Sequence, residues 1–154
     1  MFIERVVVAL RQARVHFAIA GGHAVALHGV VRGTVDLDLV LALSRENFRA
    51  AESALNRMGL QPRLPLKAEE VFDFREEYIR NRNLVAWTFV NPADPTEMVD
   101  IIITEDLAVM QVDMVPMGRL RLPVVAVADL IRMKEKSGRP QDIEDVKALR
   151  DVVS

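Results

Sequence analysis

Two aspartates, two residues apart within an aliphatic run, constrain the fold of this chain most strongly. Asp36 and Asp38 lie in segment 35–41, VDLDLVL. Side chains two apart share one face of a strand, so the aliphatic residues can pack inward while both acids project to the other side. Two carboxylates this close repel each other, whereas Mg²⁺ or Mn²⁺ holds both ionised. An isolated Asp-x-Asp is more often a solvent-facing strand end, here paired with Arg32, so the surrounding sequence has to decide.

A glycine pair precedes this run. Residues 17–20 form a short apolar segment, Gly21-Gly22 interrupts it, and residues 23–28 are long enough for about two helical turns before Gly29. Glycine lets the backbone approach a ligand, and the free N–H groups of a first helical turn favour phosphate. The pattern predicts a strand, a turn and a helix, and taken alone it also fits an ordinary structural turn.

A third acid repeats the logic of the first pair. Asp100 lies in the run 98–103, MVDIII, where a buried strand has no other use for a charge. If this strand lies beside the one carrying Asp36 and Asp38, three carboxylates meet on one face. Such a set binds one ion directly and helps to hold a second about 3.5–4 Å away.

In these motifs the chain resembles the nucleotidyltransferase superfamily, whose fold includes DNA polymerase beta and the aminoglycoside nucleotidyltransferases. The resemblance is most particular to a small bacterial branch of minimal nucleotidyltransferases and AbiEii-type toxins. Members of that branch have a glycine pair, a short helix often ending in His-Gly, and then Arg-x-Thr-x-Asp-x-Asp. The matching residues here are Gly21, Gly22, His28, Gly29, Arg32, Thr34, Asp36 and Asp38.

The resemblance implies roles for these residues. Asp36, Asp38 and Asp100 would be catalytic and would hold two Mg²⁺ ions, with Mn²⁺ as a substitute. Gly21 and Gly22 would seat the β and γ phosphates of an NTP, and Arg32 or Thr34 would brace the loop or contact phosphate. Many nucleotidyltransferases have Ser after the first glycine, where this chain has Gly22, so backbone N–H groups would do more of the binding.

The C-terminal segment resembles the closing segment of the same branch. A strand near residues 120–124 leads into a helix carrying Lys134, and Gly138-Arg139-Pro140 begins a final helix. The resemblance suggests Lys134 as a cation that reaches the triphosphate. The basic residues around it are more often a solvated helix or loop face than a polynucleotide groove.

Composition predicts one domain over residues 1–154. About half of the residues are apolar, and the 20 basic and 22 acidic side chains give no global attraction to nucleic acid. The absence of cysteine excludes disulfides and thiolate zinc sites and fits a reducing cytoplasm. The apolar N-terminal run is too short for a membrane span, so no membrane role is expected.

Periodicity predicts an α/β (α+β) fold with a mixed sheet flanked by helices, as in the nucleotidyltransferases, rather than a doubly wound parallel sheet. Strands are expected at 17–20, 35–41, 84–90, 97–104, 111–115 and 119–122, the last four as two hairpins. Helices are expected at 2–14, 23–28, 44–58, 129–136 and 142–152, with Ser44 as an N-cap. Trp87 and Phe89 are expected to pack inside the sheet, and His28 to be structural.

The functional hypothesis is transfer of an NMP from an NTP to an acceptor hydroxyl, with release of pyrophosphate. The acceptor stays open between a small molecule, an RNA end and a protein. A partner protein such as an antitoxin, or a second copy in a homodimer, is a candidate contributor to the acceptor site. The alternative is a catalytically inactive nucleotidyltransferase-like partner, for example in a toxin-antitoxin pair, against which the intact acid triad argues.

Overall fold

A computed structural model describes residues 1–30 and 36–153, so the predictions for Arg32 and Thr34 lie outside the described residues. The helices are α1 (Phe2–Gln12), α2 (Gly21–Leu27), α3 (Arg45–Arg57), α4 (Ala68–Asp73), α5 (Arg75–Arg82), α6 (Val127–Ser137) and α7 (Pro140–Val153). The strands are β1 (Phe17–Ala20), β2 (Leu37–Leu41), β3 (Gln61–Pro62), β4 (Ala86–Asn91), β5 (Asp94–Ile102), β6 (Val112–Met117) and β7 (Leu120–Val125). A short 3₁₀ turn spans Leu107–Val109.

The seven strands form one mixed sheet in the order β3-β4-β5-β2-β1-β7-β6. Strand β2 is antiparallel to β1 and parallel to β5, and β7 is parallel to β1. The two predicted hairpins, β4-β5 and β6-β7, are both antiparallel. The mixed α/β architecture is therefore confirmed.

Alternation along the central strands divides the sheet into a packed face and a face that carries acids. Leu37, Leu39 and Leu41 are fully buried on one side of β2, whereas Asp38 points the other way and is only partly buried. Phe48 of α3 stacks on Trp87 of β4 with ring centroids 5.9 Å apart, which places α3 on the packed face. Burial of Trp87 and Phe89 confirms that both residues belong to the core.

Local sequence signals explain several element ends. The Ser44 hydroxyl accepts a hydrogen bond from the Asn47 N–H at 3.1 Å, which confirms the predicted N-cap of α3. Helix α2 begins at Gly21, two residues earlier than predicted, and β5 begins at Asp94 because the hairpin turn is tighter than expected.

No helix among residues 1–30 and 36–153 combines the length and apolar character needed to cross a membrane.

Segment 60–83, for which no elements were predicted, contains β3, α4 and α5. The sequence of α5 lacks the apolar stripe by which periodicity identifies a helix, and none of its residues is buried. Asn83 ends α5 in the left-handed conformation, with φ of 50°, a position that Asn tolerates better than most residues.

Candidate active site

Strand order brings the predicted acids together. Asp38 on β2 is paired in register with Asp100 on β5, and on its other side Asp38 faces Ala20, the last residue of β1. Because residues in register on neighbouring strands project to the same face, the two carboxylates are adjacent. The condition on which the cation prediction depended, that the two strands lie side by side, is thus met.

The glycine turn contacts this acid pair directly. Gly21 has φ of +62°, and a Cβ atom built on it would lie 1.9 Å from Asp38 Oδ2. A side chain at this position would therefore collide with the carboxylate, in addition to straining the backbone. Glycine is required at position 21 by both geometry and space, and its backbone lies against Asp38.

The environment of Asp38 disfavours its charged form. Burial is the largest cause, and the negative charges of Asp100 and Asp36 add to it, so that the pKa of Asp38 is raised to about 7. A hydrogen bond with Asp100 acts in the same direction, whereas the positive charge of Lys134 opposes the rise. A cation bound beside the two carboxylates would oppose these causes and favour the ionised form of both.

Thr88 fixes the orientation of Asp100. It lies opposite Asp100 in the β4-β5 register, and its hydroxyl donates a 2.6 Å hydrogen bond to Asp100 Oδ1. This bond uses one acceptor site of Oδ1, and a carboxylate has further acceptor sites on its two oxygens. Sequence analysis missed Thr88, although its place between the inward-facing Trp87 and Phe89 already assigned it to the opposite face of β4.

The fit to a divalent cation rests on the chemistry of these donors. Carboxylate oxygens are the ligands that Mg²⁺ and Mn²⁺ prefer, and the mutual repulsion of Asp38 and Asp100 would be relieved by either ion. Asp36 is exposed just before β2. Within the described part of the chain, no three acidic or histidine side chains form a ready-made metal cluster. The residues therefore suit a cation held by two adjacent carboxylates, with Asp36 nearby.

Lys134 is buried, whereas the sequence suggested a cation that reaches the triphosphate. Its side chain is almost fully buried between α6 and α7, with Nζ 3.3 Å from Asp142 Oδ1 and 2.8 Å from Asp145 Oδ2. Lys134 is close enough to Asp38 to lower the pKa of that group, so its charge does act on the site. Its contact with a nucleotide stays a prediction.

Asp142 and Asp145 were not identified from the sequence. Burial alone would raise the pKa of Asp142, but hydrogen bonds from Arg139, Ser137 and Lys134 outweigh it and lower the pKa to about 2. The Arg139 side chain is largely exposed, and its Nε lies 2.8 Å from Asp142 Oδ2. The i, i+3 spacing of the two acids at the start of α7 was the available signal, since it places both on one side of the helix.

His28 contacts the chain rather than the acid pair. Its Nε2 lies 2.9 Å from the carbonyl oxygen of Val125, at the end of β7. This contact ties the end of α2 to the strand that leads into α6, which agrees with the structural role expected for His28.

Solved structures with this arrangement of strands and helices identify the fold. The chain superimposes on the solution structure of the antibiotic-resistance factor ANT(2'')-Ia with a TM-score of 0.69, covering 99% of this chain and 83% of that one at 12% identity. A crystal structure of ANT(2'')-Ia in complex with adenylyl-2''-tobramycin gives a TM-score of 0.67, covering 99% and 87% at 13% identity. The chain has the nucleotidyltransferase fold.

A further similar structure is an antigenic nucleotidyltransferase-like protein from Paracoccidioides brasiliensis, with a TM-score of 0.59 and 15% identity over 96% of this chain and 74% of that one. No protein-family model and no curated protein matches the sequence. The likeness that these comparisons show therefore lies in the three-dimensional arrangement.

Proposed function

We propose that the protein is a metal-dependent nucleotidyltransferase that transfers an NMP from an NTP to an acceptor hydroxyl and releases pyrophosphate. The observation that carries the proposal is the register pair of Asp38 and Asp100 directly beside the Gly21 turn. The nucleotidyltransferase fold supports it, since the similar ANT(2'')-Ia is known with an adenylylated aminoglycoside.

The proposed roles combine the positions of the described residues with the family resemblance of the sequence motifs. Asp36, Asp38 and Asp100 would hold one or two Mg²⁺ ions, which when bound neutralise charge on the phosphates and on the two neighbouring carboxylates. The backbone N–H groups of Gly21 and Gly22 would bind the β and γ phosphates, together with Arg32 and Thr34. Lys134, held by Asp142 and Asp145, would contribute positive potential at Asp38 rather than move toward the substrate.

In the proposed reaction the acceptor oxygen forms a bond to the α-phosphorus of the NTP. The bond from that phosphorus to the bridging oxygen of the pyrophosphate group breaks, and pyrophosphate leaves with the electron pair. Asp100, oriented by Thr88, accepts the proton of the acceptor hydroxyl. The half-buried setting of Asp38 and Asp100 strengthens these electrostatic interactions relative to those in water.

Calorimetric titration of the four NTPs, in Mg²⁺ and in EDTA, tests this proposal. Wild type is expected to bind at least one NTP in a metal-dependent manner, and Asp36→Ala/Asp38→Ala is expected to lose that binding while remaining folded. Asp113→Ala removes an exposed acid on β6, away from the site, and should bind as wild type does. If wild type binds no NTP, the catalytically inactive partner becomes the better account.

A further inference from the structure

A row of residues crosses the sheet in register on the face that carries the acids. From β1 outward, Ala20 pairs with Asp38, Asp38 with Asp100, and Asp100 with Thr88. The chain leaving β3 extends the row, because the Arg63 N–H donates a 2.8 Å hydrogen bond to the Thr88 carbonyl oxygen. The glycine turn at Gly21 thus lies at one end of this row and Arg63 at the other, with the acid pair between them.

Arg63 projects to the same side of the sheet as the acids. Its Nη2 lies 3.5 Å from Met98 Sδ, and Met98 lies two residues before Asp100 on β5, so both side chains share one face. A thioether is a weak acceptor for a guanidinium. No carboxylate among residues 1–30 and 36–153 pairs with Arg63, whose side chain is exposed.

Strand spacing sets the reach between Arg63 and the acid pair. Neighbouring strands are about 4.8 Å apart, so the Arg63 and Asp100 backbones are separated by about 10 Å across β4. Thr88 and Met98, both half-buried, form the floor of this interval. A small hydroxyl compound lying on that floor can place its hydroxyl at Asp100 and its other end at the guanidinium.

We infer that the Thr88, Met98 and Arg63 end of the row is the acceptor subsite, and that the acceptor carries a phosphate or carboxylate group that pairs with Arg63. The inference rests on the proposed function, which places the donor phosphates at the opposite end, against Gly21 and Gly22. The acceptor then reaches Asp100 from the Arg63 side. A guanidinium binds planar and tetrahedral anions through paired N–H donors, whereas it repels an amine-rich acceptor.

Matched acceptors test this inference, using labelled transfer from whichever NTP binds. Glycerol, glycerate and glycerol 3-phosphate share hydroxyl groups and differ in the anion, and tobramycin supplies an amine-rich alternative. We expect wild type to use an anionic member, with Arg63→Ala raising its KM about tenfold and leaving kcat within about threefold. Arg63→Lys should show a smaller rise in KM than Arg63→Ala. The control Arg82→Ala, at an exposed arginine of α5, should keep the KM and kcat of wild type.

The outcomes separate the inference from the function on which it rests. Preference for glycerate or for glycerol 3-phosphate supports the inference and decides between carboxylate and phosphate. Equal or better use of glycerol or tobramycin, an unchanged KM in Arg63→Ala, or NTP binding without transfer to either anion each overturns the inference alone. A wild type that binds no NTP contradicts the proposed function and the inference together.

Discussion

At the scale of single residues, Asp38 combines an unfavourable position in the folded chain with a central role in the proposed chemistry. It is flanked by two acids and partly buried, and burial with the nearby negative charge raises its pKa to about 7. The folded chain therefore keeps a proton on Asp38 that the unfolded chain releases near pH 3.8. Because the folded state binds more protons between these values, the free energy of unfolding falls as the pH rises through that range.

Asp38→Asn is accordingly expected to stabilise the protein while removing its function. In EDTA at pH 8 the variant should unfold with a free energy about 1–2 kcal/mol higher than wild type, and the difference should shrink toward pH 4. Urea unfolding at several pH values measures both quantities, with Asp113→Asn as the exposed control. The same pH dependence in wild type and Asp38→Asn would show that Asp38 is not the group that titrates.

At the scale of elements, the turn between β1 and α2 is shaped around the acid pair. Gly21 and Gly118 both have positive φ, +62° and +59°, but only at Gly21 would a Cβ meet another atom, Asp38 Oδ2. Alanine at either position incurs backbone strain of about 1–2 kcal/mol, so the two sites form a matched comparison. The two variants differ in that only alanine at position 21 would also collide with Asp38.

Gly21→Ala is therefore expected to lower stability by more than Gly118→Ala and to reduce metal-dependent NTP binding, which Gly118→Ala should leave intact. Denaturant unfolding and calorimetry on both variants measure these effects. Equal loss of stability in the two variants, with NTP binding retained in both, would contradict the close contact between the turn and Asp38.

Helices α6 and α7 are joined by a buried ion cluster of Lys134, Asp142 and Asp145. Lys134→Met removes the only cation buried in this cluster. Arg139 still reaches Asp142 from the exposed side, but the loss of the buried charge is expected to destabilise the fold by about 3–5 kcal/mol. Lys136→Met, at an exposed position on the same helix, should cost little. Thermal or urea unfolding of the two variants provides the comparison, and similar stabilities would rule out a supporting role for the cluster.

The candidate site acids that could be predicted from the sequence are those that lie within aliphatic segments. Asp36, Asp38 and Asp100 were predicted as candidate metal ligands because each interrupts an aliphatic run in which a charge has no other use. Thr88 lay in a strand that was predicted, but its partner depends on the register between β4 and β5. The pairing of Lys134 with Asp142 and Asp145 depends on how two helices meet, which periodicity within one helix does not specify, and α5 lacks any apolar face by which to recognise it.

At the scale of the whole molecule, the candidate site is assembled from segments that are distant in sequence. The start of α2, directly after β1, supplies the glycine turn, β2 supplies Asp38, and β5 supplies Asp100. Lys134 on α6 is near enough to lower the pKa of Asp38. The order β4-β5-β2-β1 makes these groups neighbours on one face of the sheet. The same order places β4 and the chain after β3 on the other side of Asp100, where Thr88 and Arg63 lie.

Mn²⁺ binding, measured by electron paramagnetic resonance with an NTP present, tests directly whether Asp38 and Asp100 form a cation site for the nucleotide. Wild type is predicted to bind Mn²⁺ more tightly with NTP than without it. Asp38→Asn is predicted to lose at least about tenfold in Mn²⁺ affinity, and Asp113→Asn none. Equal Mn²⁺ affinity in wild type and Asp38→Asn would contradict the account.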